Sequence, residues 1–478
     1  MNKEQVKKRV TELFFMISDI PRPSYREEKI ADFICDFAAK NGCEFYRDEA
    51  NNVLVNVKAT KGCEGRAPIL LQGHTDMVCE KNEGTVHDFL SEGIKIVEKD
   101  GWLTADGTTL GADNGVAVAI MLYVIEGGVA EHGDVQCLFT SAEEVGLDGV
   151  KSFDFSRIFA RKMINMDGEN EKCVIVGCAG GLRTDVELEP SYKEISSDVL
   201  KIRISGLCGG HSGENIASGR ANANILMGRL LCEIFYKVGL SIVSLSGGTK
   251  ENAIPREATA YIEVDNRDKV KQIADEFYRG VKKELSAEDS GFALSCELSS
   301  AEFSRAFDKK STRSVLTLLA SVKNGIIEMS KSLSGLVEYS RNLGVIKFAD
   351  GKLDLVFNSR SAIDAQLDAA ERELELLAGL SGGTATHYSR YPGWAYSKES
   401  ALADEYINVC RELYGREVRK EMIHAGLECG IIKANLEGLD CISCGPNMKN
   451  LHSPEEALEC DSFGEYALAV CTLIKNSK

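Results

Sequence analysis

Several short apolar runs in this chain end in a histidine or a carboxylate, and this pattern constrains its fold most. The clearest example is Ile69-Leu70-Leu71-Gln72-Gly73-His74-Thr75-Asp76, whose apolar start is typical of a strand buried inside a sheet. Side chains two residues apart on a strand point the same way, so His74 and Asp76 project together. An imidazole beside a carboxylate suits a metal ligand and the partner that orients it. Taken alone, however, such a pair is more typical of a hydrogen-bonded turn.

Four further segment ends carry comparable side chains. They are Asp113 at the mouth of a small-residue helix, Glu143 and Glu144 after the apolar run 135–140, Asp167 after the run 163–166, and His452 in a late loop. Each has a simpler interpretation, such as a helix N-cap for Asp113 or an exposed pair for the glutamates. Functional sites in α/β sheets lie beyond the carboxyl ends of the strands, so we expect these five ends to converge at one edge.

The residue types at these ends indicate a metal site. Two imidazoles and three carboxylates suit zinc, manganese or cobalt, whereas calcium and magnesium prefer oxygen ligands alone. Five ligands exceed what one catalytic zinc ion uses, but they suit two cations about 3.5–4 Å apart that share one carboxylate. The predicted ligands are His74, Asp113, Glu144, Asp167 and His452. From spacing alone, either Glu143 or Glu144 could be the ligand.

Composition excludes several classes of function. The formal net charge of −17 over 478 residues argues against nucleic acid or an anionic membrane surface as a partner. No apolar run is long enough to span a bilayer, and the charged segment 1–9 lacks the apolar core of a signal peptide. Sixteen cysteines without a secretory signal predict reduced thiols in a cytoplasmic protein. The single Cys441-x-x-Cys444 pair lacks the second pair of a structural zinc site.

The order of predicted elements changes at about residue 185. Before it, and again from residue 395, strands and helices alternate as in an α/β domain. Between them the pattern strand–helix–strand–strand–helix occurs twice, with Phe292–Leu298 as the first strand of the second copy. We therefore predict a catalytic domain of residues 1–185 and 395–478, and an inserted α+β domain of two repeats, 186–290 and 291–394. Ser24-x-x-Glu27 predicts a capping box at the start of the second helix.

Eight segments, taken in chain order, resemble a known enzyme family. They are HTDMVCEKN, HDF, GTTLGADNG, NMDGE, GGHSGENI, NAIP, HAGLECG and HSPEE. The chain resembles the di-zinc metallopeptidases that include carboxypeptidase G, dipeptidase V and acylases, and most of all those that cleave Xaa-His and other dipeptides. The resemblance covers nearly the whole chain and implies a mixed-sheet catalytic domain with an inserted, duplicated lid. Two positions depart from it, since Ala142 stands for an aspartate and Gly168 for a serine.

The resemblance also implies a role for each residue at the segment ends. Asp113 would bridge the two metals, His74 and Asp167 would complete one site, and Glu144 and His452 the other. Asp76 would orient His74. Glu143 would be the general base, taking a proton from the water held between the metals and passing one to the leaving amine.

Lid residues are expected to bind the substrate. His211 in Gly209-Gly210-His211-Ser212-Gly213 would donate to the oxyanion of the tetrahedral intermediate after lid closure. Arg360 is the predicted partner of the substrate's C-terminal carboxylate, with Arg267 in the first repeat as the alternative. Asn252 and the backbone of Gly426 are further substrate-binding residues that the resemblance implies.

The sequence thus predicts a cytoplasmic enzyme that hydrolyses dipeptides with two divalent metal ions, most suitably zinc, with manganese or cobalt as alternatives. An N-acyl-amino-acid deacylase or a carboxypeptidase of the same fold stays open. A non-catalytic metal- or peptide-binding protein is disfavoured, because it would have no need of Glu143. The predicted enzyme is expected to bind a small peptide and neither nucleic acid nor a membrane. Either a monomer or a homodimer is compatible with the sequence.

Overall fold

The computed structural model describes residues 2–331, 333–397 and 399–477. The chain divides into two compact units. The first unit comprises Met1–Cys178, Tyr396–Met422 and Leu427–Lys478, and the second comprises Ala179–Ala395 and Ile423–Gly426.

The described residues form 25 strands, labelled here in chain order. They are β1 Glu44–Arg47, β2 Val53–Val57, β3 Ile69–His74, β4 Ile96–Lys99, β5 Trp102–Ala105, β6 Val135–Thr140, β7 Lys162–Asn165, β8 Cys173–Cys178, β9 Gly180–Leu188, β10 Tyr192–Glu194, β11 Asp198–Ser205, β12 Gly210–His211, β13 Ser241–Gly247, β14 Ala253–Ile254, β15 Ala258–Val264, β16 Ala293–Leu298, β17 Arg305–Phe307, β18 Gly325–Met329, β19 Val337–Ala349, β20 Lys352–Ser361, β21 Thr384–Tyr391, β22 Arg419–Ile423, β23 Asp440–Ser443, β24 Met448–Lys449 and β25 Ala457–Glu459.

The described residues also form 11 α-helices. They are α1 Lys3–Ser18, α2 Glu28–Lys40, α3 Ala112–Ile125, α4 Asp148–Ser152, α5 Ala223–Lys237, α6 Arg267–Val281, α7 Lys309–Ser321, α8 Asp364–Leu380, α9 Ala401–Tyr414, α10 Glu428–Asn435 and α11 Cys460–Asn476. No helix of the described residues combines the length and the apolarity needed to cross a membrane.

The first unit is built on an eight-stranded mixed sheet in the order β1-β2-β6-β3-β7-β23-β8-β22. Its centre is parallel, since β3 pairs in parallel with β6 and β7, and β7 with β23. Strands β1, β2 and β8 pair antiparallel at its flanks. The central strands are apolar along their length because the sheet is buried on both faces, and almost every residue of α3 is buried against it. Because β3 pairs in parallel with both β6 and β7, the carboxyl ends of these three strands lie side by side.

The second unit contains a nine-stranded sheet whose main path is β16-β11-β15-β13-β19-β20-β9-β21. The path has two matching halves. One runs β16-β11-β15-β13, and the other runs β21-β9-β20-β19 with the same antiparallel pairings. They meet where β13 pairs with β19, and one apolar cluster extends through both.

This topology differs from the expected order of elements in one respect. The strand predicted at Phe292–Leu298 to open the second repeat is β16, and it pairs with β11 at the outer edge of the first half. Its counterpart in the other half is β21, while β9, which begins six residues before the first predicted repeat, takes the place equivalent to β11. Strand order in a sheet depends on pairing between distant segments, and a local pattern does not record it.

The predicted capping box at Ser24 is wrong. Helix α2 begins at Glu28 with Glu27 as its N-cap, and no side chain caps it. The Ser24 hydroxyl donates instead to the carboxylate of Asp76 at 2.8 Å. The Glu27 carboxylate accepts from the backbone N–H of Ala142 at 2.9 Å. Both residues of the apparent capping box therefore belong to the surroundings of the predicted site.

Candidate active site

The parallel strand ends of the first unit bring the predicted ligands together. His74 is the last residue of β3 and is buried. Its Nε2 lies 3.0 Å from an Asp113 carboxylate oxygen and 3.5 Å from one of Asp167. Asp113 comes from the start of α3, and Asp167 follows β7 by two residues. Three segments thus converge on one imidazole nitrogen.

The second carboxylate oxygen of Asp113 faces another histidine. His452 Nε2 lies 3.2 Å from this oxygen and 3.1 Å from Glu144 Oε2. Asp113 therefore lies between two imidazoles, with one oxygen directed at each. A carboxylate shared by two cations would offer one oxygen to each in this way.

Three groups of side chains in the described residues could each hold a metal ion, with their ligand atoms within 4.8 Å of one another. They are His74–Asp113–Asp167, Asp113–Glu144–His452 and His74–Glu143–Glu144. The donor set fits a borderline divalent cation, because each of the first two groups offers one imidazole nitrogen with two carboxylates. Glu144 Oε1 is buried and has no hydrogen-bond partner in the described part of the chain, which also fits a ligand.

Asp76 holds both the histidine and the glutamate pair. It is fully buried, and its carboxylate lies 3.4 Å from His74 Nδ1. The backbone N–H groups of Glu143 and Glu144 donate to its two oxygens at 3.1 and 3.2 Å. Sequence spacing predicted the first contact but not the second. The backbone carbonyl of Asp76 also lies 3.1 Å from His74 Nδ1. Asp76 therefore contacts the imidazole ring through two of its oxygens, and its carboxylate fixes the main chain that carries both glutamates.

Neighbouring backbone atoms leave no room for a side chain at Gly168. A Cβ atom built there would lie 2.6 Å from the carbonyl carbon of Cys444 and 2.7 Å from the nitrogen of Gly445. These are backbone atoms of the segment that follows β23. A serine at this position would push that segment away from Asp167, so the close approach requires glycine.

Burial and the nearby carboxylates shift the pKa values of His74, His452 and Glu143. Hydrogen bonds that His452 donates to the carboxylates of Asp113 and Glu144 raise its pKa to about 11. Burial lowers the pKa of His74, but its contacts with Asp113 and Asp167 outweigh this and raise it well above the usual value. Burial also raises the pKa of Glu143 well above its ordinary range. The contacts with the carboxylates thus favour the protonated form of both imidazoles.

The second unit brings two predicted substrate-binding residues together. Arg360 lies on β20 with 6 % of its surface exposed. Its Nη1 donates to the Tyr391 hydroxyl at 3.2 Å, and its Nη2 lies 3.3 Å from His211 Nε2. Arg267, the alternative, opens α6 with a side chain 54 % exposed and 3.8 Å from Asp198. The surroundings of Arg360 thus differ from those of Arg267, because only Arg360 combines burial with contact to His211.

Asn252 and Gly426 lie near this pair within the second unit. The carbonyl of Asn252 accepts from the backbone N–H of Ser212 at 2.8 Å, so it braces the loop of His211. Gly426 packs against Tyr391, since a Cβ there would come within 2.8 Å of its ring. Two residues before it, His424 Nε2 lies 2.7 Å from the Ser340 hydroxyl.

Sequence reasoning missed a buried carboxyl beneath the strand ends. Glu428 opens α10, is fully buried, and accepts from the side chains of Gln72 and Thr140. Gln72 in turn accepts from Asn165 at 2.6 Å. The network links β3, β6 and β7 just below the predicted ligands. Burial raises the pKa of Glu428 to about 7. The buried side chains of Arg22 and Glu456 were also missed.

Comparison with known proteins identifies the family. Residues 70–476 match the model of peptidase family M20/M25/M40. The chain belongs to this family of peptide hydrolases. It is 36 % identical over 468 residues to the cytosol non-specific dipeptidase of Escherichia coli (strain K12), covering 97 % of this chain and 96 % of that protein.

Solved structures agree with this assignment. The aminoacylhistidine dipeptidase of Vibrio alginolyticus superposes with a TM-score of 0.89 at 33 % identity, over 98 % of this chain and 96 % of that one. A tripeptidase of Staphylococcus aureus superposes with a TM-score of 0.56 at 16 % identity, over 98 % of each chain, and shares the fold alone. The sequence-based expectation of this metallopeptidase family is confirmed.

Proposed function

We propose that this chain is a metal-dependent dipeptidase that cleaves Xaa-His and other unblocked dipeptides. The observation that carries the proposal is the position of Asp113, whose two oxygens face His74 and His452. Two relatives that match almost the whole chain are named as dipeptidases, which supports the substrate class.

Two divalent cations, most suitably zinc, would be held by these side chains. His74, Asp113 and Asp167 would hold one, and Asp113, Glu144 and His452 the other. Nitrogen donors in each group favour zinc, manganese or cobalt over calcium and magnesium. When bound, the cations supply Lewis-acid activation of water and of the peptide carbonyl.

Glu143 acts as the general base. Its side chain belongs to the group with His74 and Glu144, while the first two groups already provide three ligands per cation without it. Burial raises its pKa, which suits a carboxylate that must hold a proton between two steps. It takes the proton of the attacking water and passes it to the leaving amine nitrogen. The Asp76 carboxylate keeps Glu143 in place by accepting a hydrogen bond from the backbone N–H of Glu143.

Arg360 and His211 bind the substrate. The planar guanidinium of Arg360 can form two parallel hydrogen bonds to the C-terminal carboxylate of a dipeptide. Its Nε is buried without a hydrogen-bond partner among the described residues, which leaves a donor for that carboxylate. His211 donates to the oxyanion of the tetrahedral intermediate. Asn252 and the backbone of Gly426 contribute further contacts to the bound peptide.

A substrate panel tests this proposal. The zinc-loaded protein should hydrolyse Ala-His and Gly-Gly with kcat/KM about 100-fold above that for N-acetyl amino acids and for tripeptides. Chelation should abolish the activity and added zinc should restore it. Preference for N-acetyl amino acids would indicate a deacylase instead, and preference for long peptides a carboxypeptidase.

We also propose that the protein acts in the cytoplasm. The word cytosol in the name of the Escherichia coli relative supports this location. Cell fractionation should recover the dipeptidase activity with cytoplasmic markers. Recovery with the membrane or secreted fraction would contradict it.

A further inference from the structure

Glu456 binds the main chain that leads to Asp113. It is 2 % exposed, and its carboxylate accepts four consecutive backbone N–H groups. Leu110 and Gly111 donate to Oε2 at 2.7 and 2.9 Å, and Ala112 and Asp113 donate to Oε1 at 2.8 and 3.3 Å. These groups lie at the start of α3, where backbone donors have no partner within the helix. Glu456 therefore fixes this segment up to the backbone nitrogen of Asp113.

The same residue links two predicted ligands that are distant in sequence. Glu456 lies four positions after His452, which is separated from Asp113 by 339 residues. Strand β25 begins directly after Glu456 and pairs with β5 and β24, so the loop is anchored. The side chain of Glu456 thus ties the His452 loop to the Asp113 loop.

Arg22 reaches the same segment and joins it to a third. It is fully buried, and its Nη2 donates to the carbonyl of Gly111 at 2.6 Å. Its Nη1 donates to the carbonyls of Thr75 and Asp76 at 2.9 and 3.2 Å. Those two residues directly follow His74. One guanidinium therefore connects the turn after His74 to the segment before Asp113.

Gly111 is held at both ends of its backbone. Its N–H donates to Glu456 and its carbonyl accepts from Arg22. A Cβ atom there would lie 2.6 Å from Arg22 Nη2 and 2.8 Å from the sulfur of Met77, and its φ of +70° also favours glycine. The opposite charges of Arg22 and Glu456 offset part of each other's desolvation cost.

We propose that Arg22 and Glu456 are positioning residues for the metal ligands His74, Asp113 and His452. Neither residue belongs to a group that could hold a metal ion. They hold three ligand-bearing segments together through backbone atoms, against the mutual repulsion of the carboxylates, before any cation binds. The inference rests on the proposed function for the identity of the bound cations.

Zinc titration of the chelator-treated protein tests this role. Glu456→Gln replaces one oxygen by an amide NH₂ that cannot accept from the backbone N–H groups. It should weaken the binding of both zinc ions by about 10–100-fold, because Asp113 is shared. The matched control is Glu455→Gln, an exposed neighbour, which should stay within about twofold of wild type. At saturating zinc, Glu456→Gln should lower kcat for Ala-His and leave KM nearly unchanged.

A second variant guards against misfolding of the first. Arg22→Lys keeps the charge but lacks the fork that reaches Gly111 and Thr75, so it should also weaken zinc binding by about tenfold. A folded Glu456→Gln or Arg22→Lys variant that binds zinc as tightly as the wild type would overturn the inference. Failure of the unmutated protein to bind zinc would also overturn it. If the wild type binds two zinc ions but cleaves no dipeptide, the proposed function fails while the zinc affinities still decide this role.

Discussion

Arg360 Nη2 lies 3.3 Å from His211 Nε2, although the two residues are 149 positions apart. Arg360 lies on β20 and His211 ends the short strand β12, both in the second unit. Under the proposed function, Arg360 would bind the substrate carboxylate and His211 the oxyanion. Their proximity supports a dipeptide substrate, because the C-terminal carboxylate of a dipeptide lies only one residue from the bond to be cleaved.

Arg360→Lys tests the carboxylate contact. Loss of the bidentate fork should raise KM for Ala-His by about 10–100-fold, with a smaller change in kcat. For Ala-His amide, which lacks the carboxylate, Arg360→Lys should have the same kcat/KM as the wild type. Arg267→Lys is the matched control and should behave as wild type. Equal losses on Ala-His and on its amide would show that Arg360 does not bind this group.

Four of the five predicted ligands were visible in the sequence because each lies in or beside a local signal. His74 ends an apolar strand, Glu144 and Asp167 closely follow two others, and Asp113 precedes a small-residue helix. Parallel pairing of β3 with β6 and β7 then brings three of these ends together. A local pattern and one rule about parallel sheets were sufficient to group these segment ends, whereas the choice of Glu144 over Glu143 followed from the family resemblance.

The residues that support the ligands were not visible in the same way. Glu456 binds backbone N–H groups up to 346 positions away, and Arg22 binds carbonyls 53 to 89 positions away. Backbone groups are the same in every residue, so such contacts leave no pattern of residue types. Ser24 was misinterpreted for the same reason, because its partner Asp76 lies 52 positions further along the chain. Local spacing predicts local hydrogen bonds only.

Zinc binding should release protons. The raised pKa values of His74 and His452, the latter about 11, keep both imidazoles protonated in the metal-free protein near neutral pH. A cation must displace these protons, so at about pH 7.5 roughly two should leave per chain, and zinc affinity should increase with pH. Calorimetric titration in buffers of different ionisation enthalpy measures the number of protons released per chain. His452→Ala should release about one proton fewer. Zinc binding without proton release would contradict this assignment of ligands.

Glu428 should make the stability of the metal-free protein depend on pH. Burial raises its pKa from 4.5 to about 7, so the folded state binds the proton more tightly than the unfolded state. This contribution is fully present below pH 4.5 and decreases as pH rises to about 7, by at most about 1.4 kcal/mol per pH unit. Glu428→Gln keeps an acceptor for Gln72 and Thr140 but does not titrate.

The urea midpoint of Glu428→Gln should therefore rise relative to wild type between about pH 5 and pH 8. Glu437→Gln, an exposed change close to α10, is the control and should keep the wild-type slope. A constant difference between Glu428→Gln and wild type across this pH range would contradict the prediction.

Gly168→Ser tests the close backbone approach beside Asp167. The serine Cβ would overlap the backbone of Cys444 and Gly445, so the free energy of unfolding should fall by about 1–3 kcal/mol. Gly65→Ser is the control, because a Cβ there meets no heavy atom within 4 Å. Urea unfolding of both variants measures the difference. Equal stabilities would mean that the segment after β23 can shift without cost.

The most direct test of the account is the rate of Ala-His hydrolysis by Glu143→Gln, with two zinc ions per chain confirmed by elemental analysis. Removal of the base without loss of a ligand should lower kcat by about 10²–10⁴-fold and leave zinc content unchanged. A zinc-loaded variant that turns over Ala-His at close to the wild-type rate would contradict the proposed mechanism.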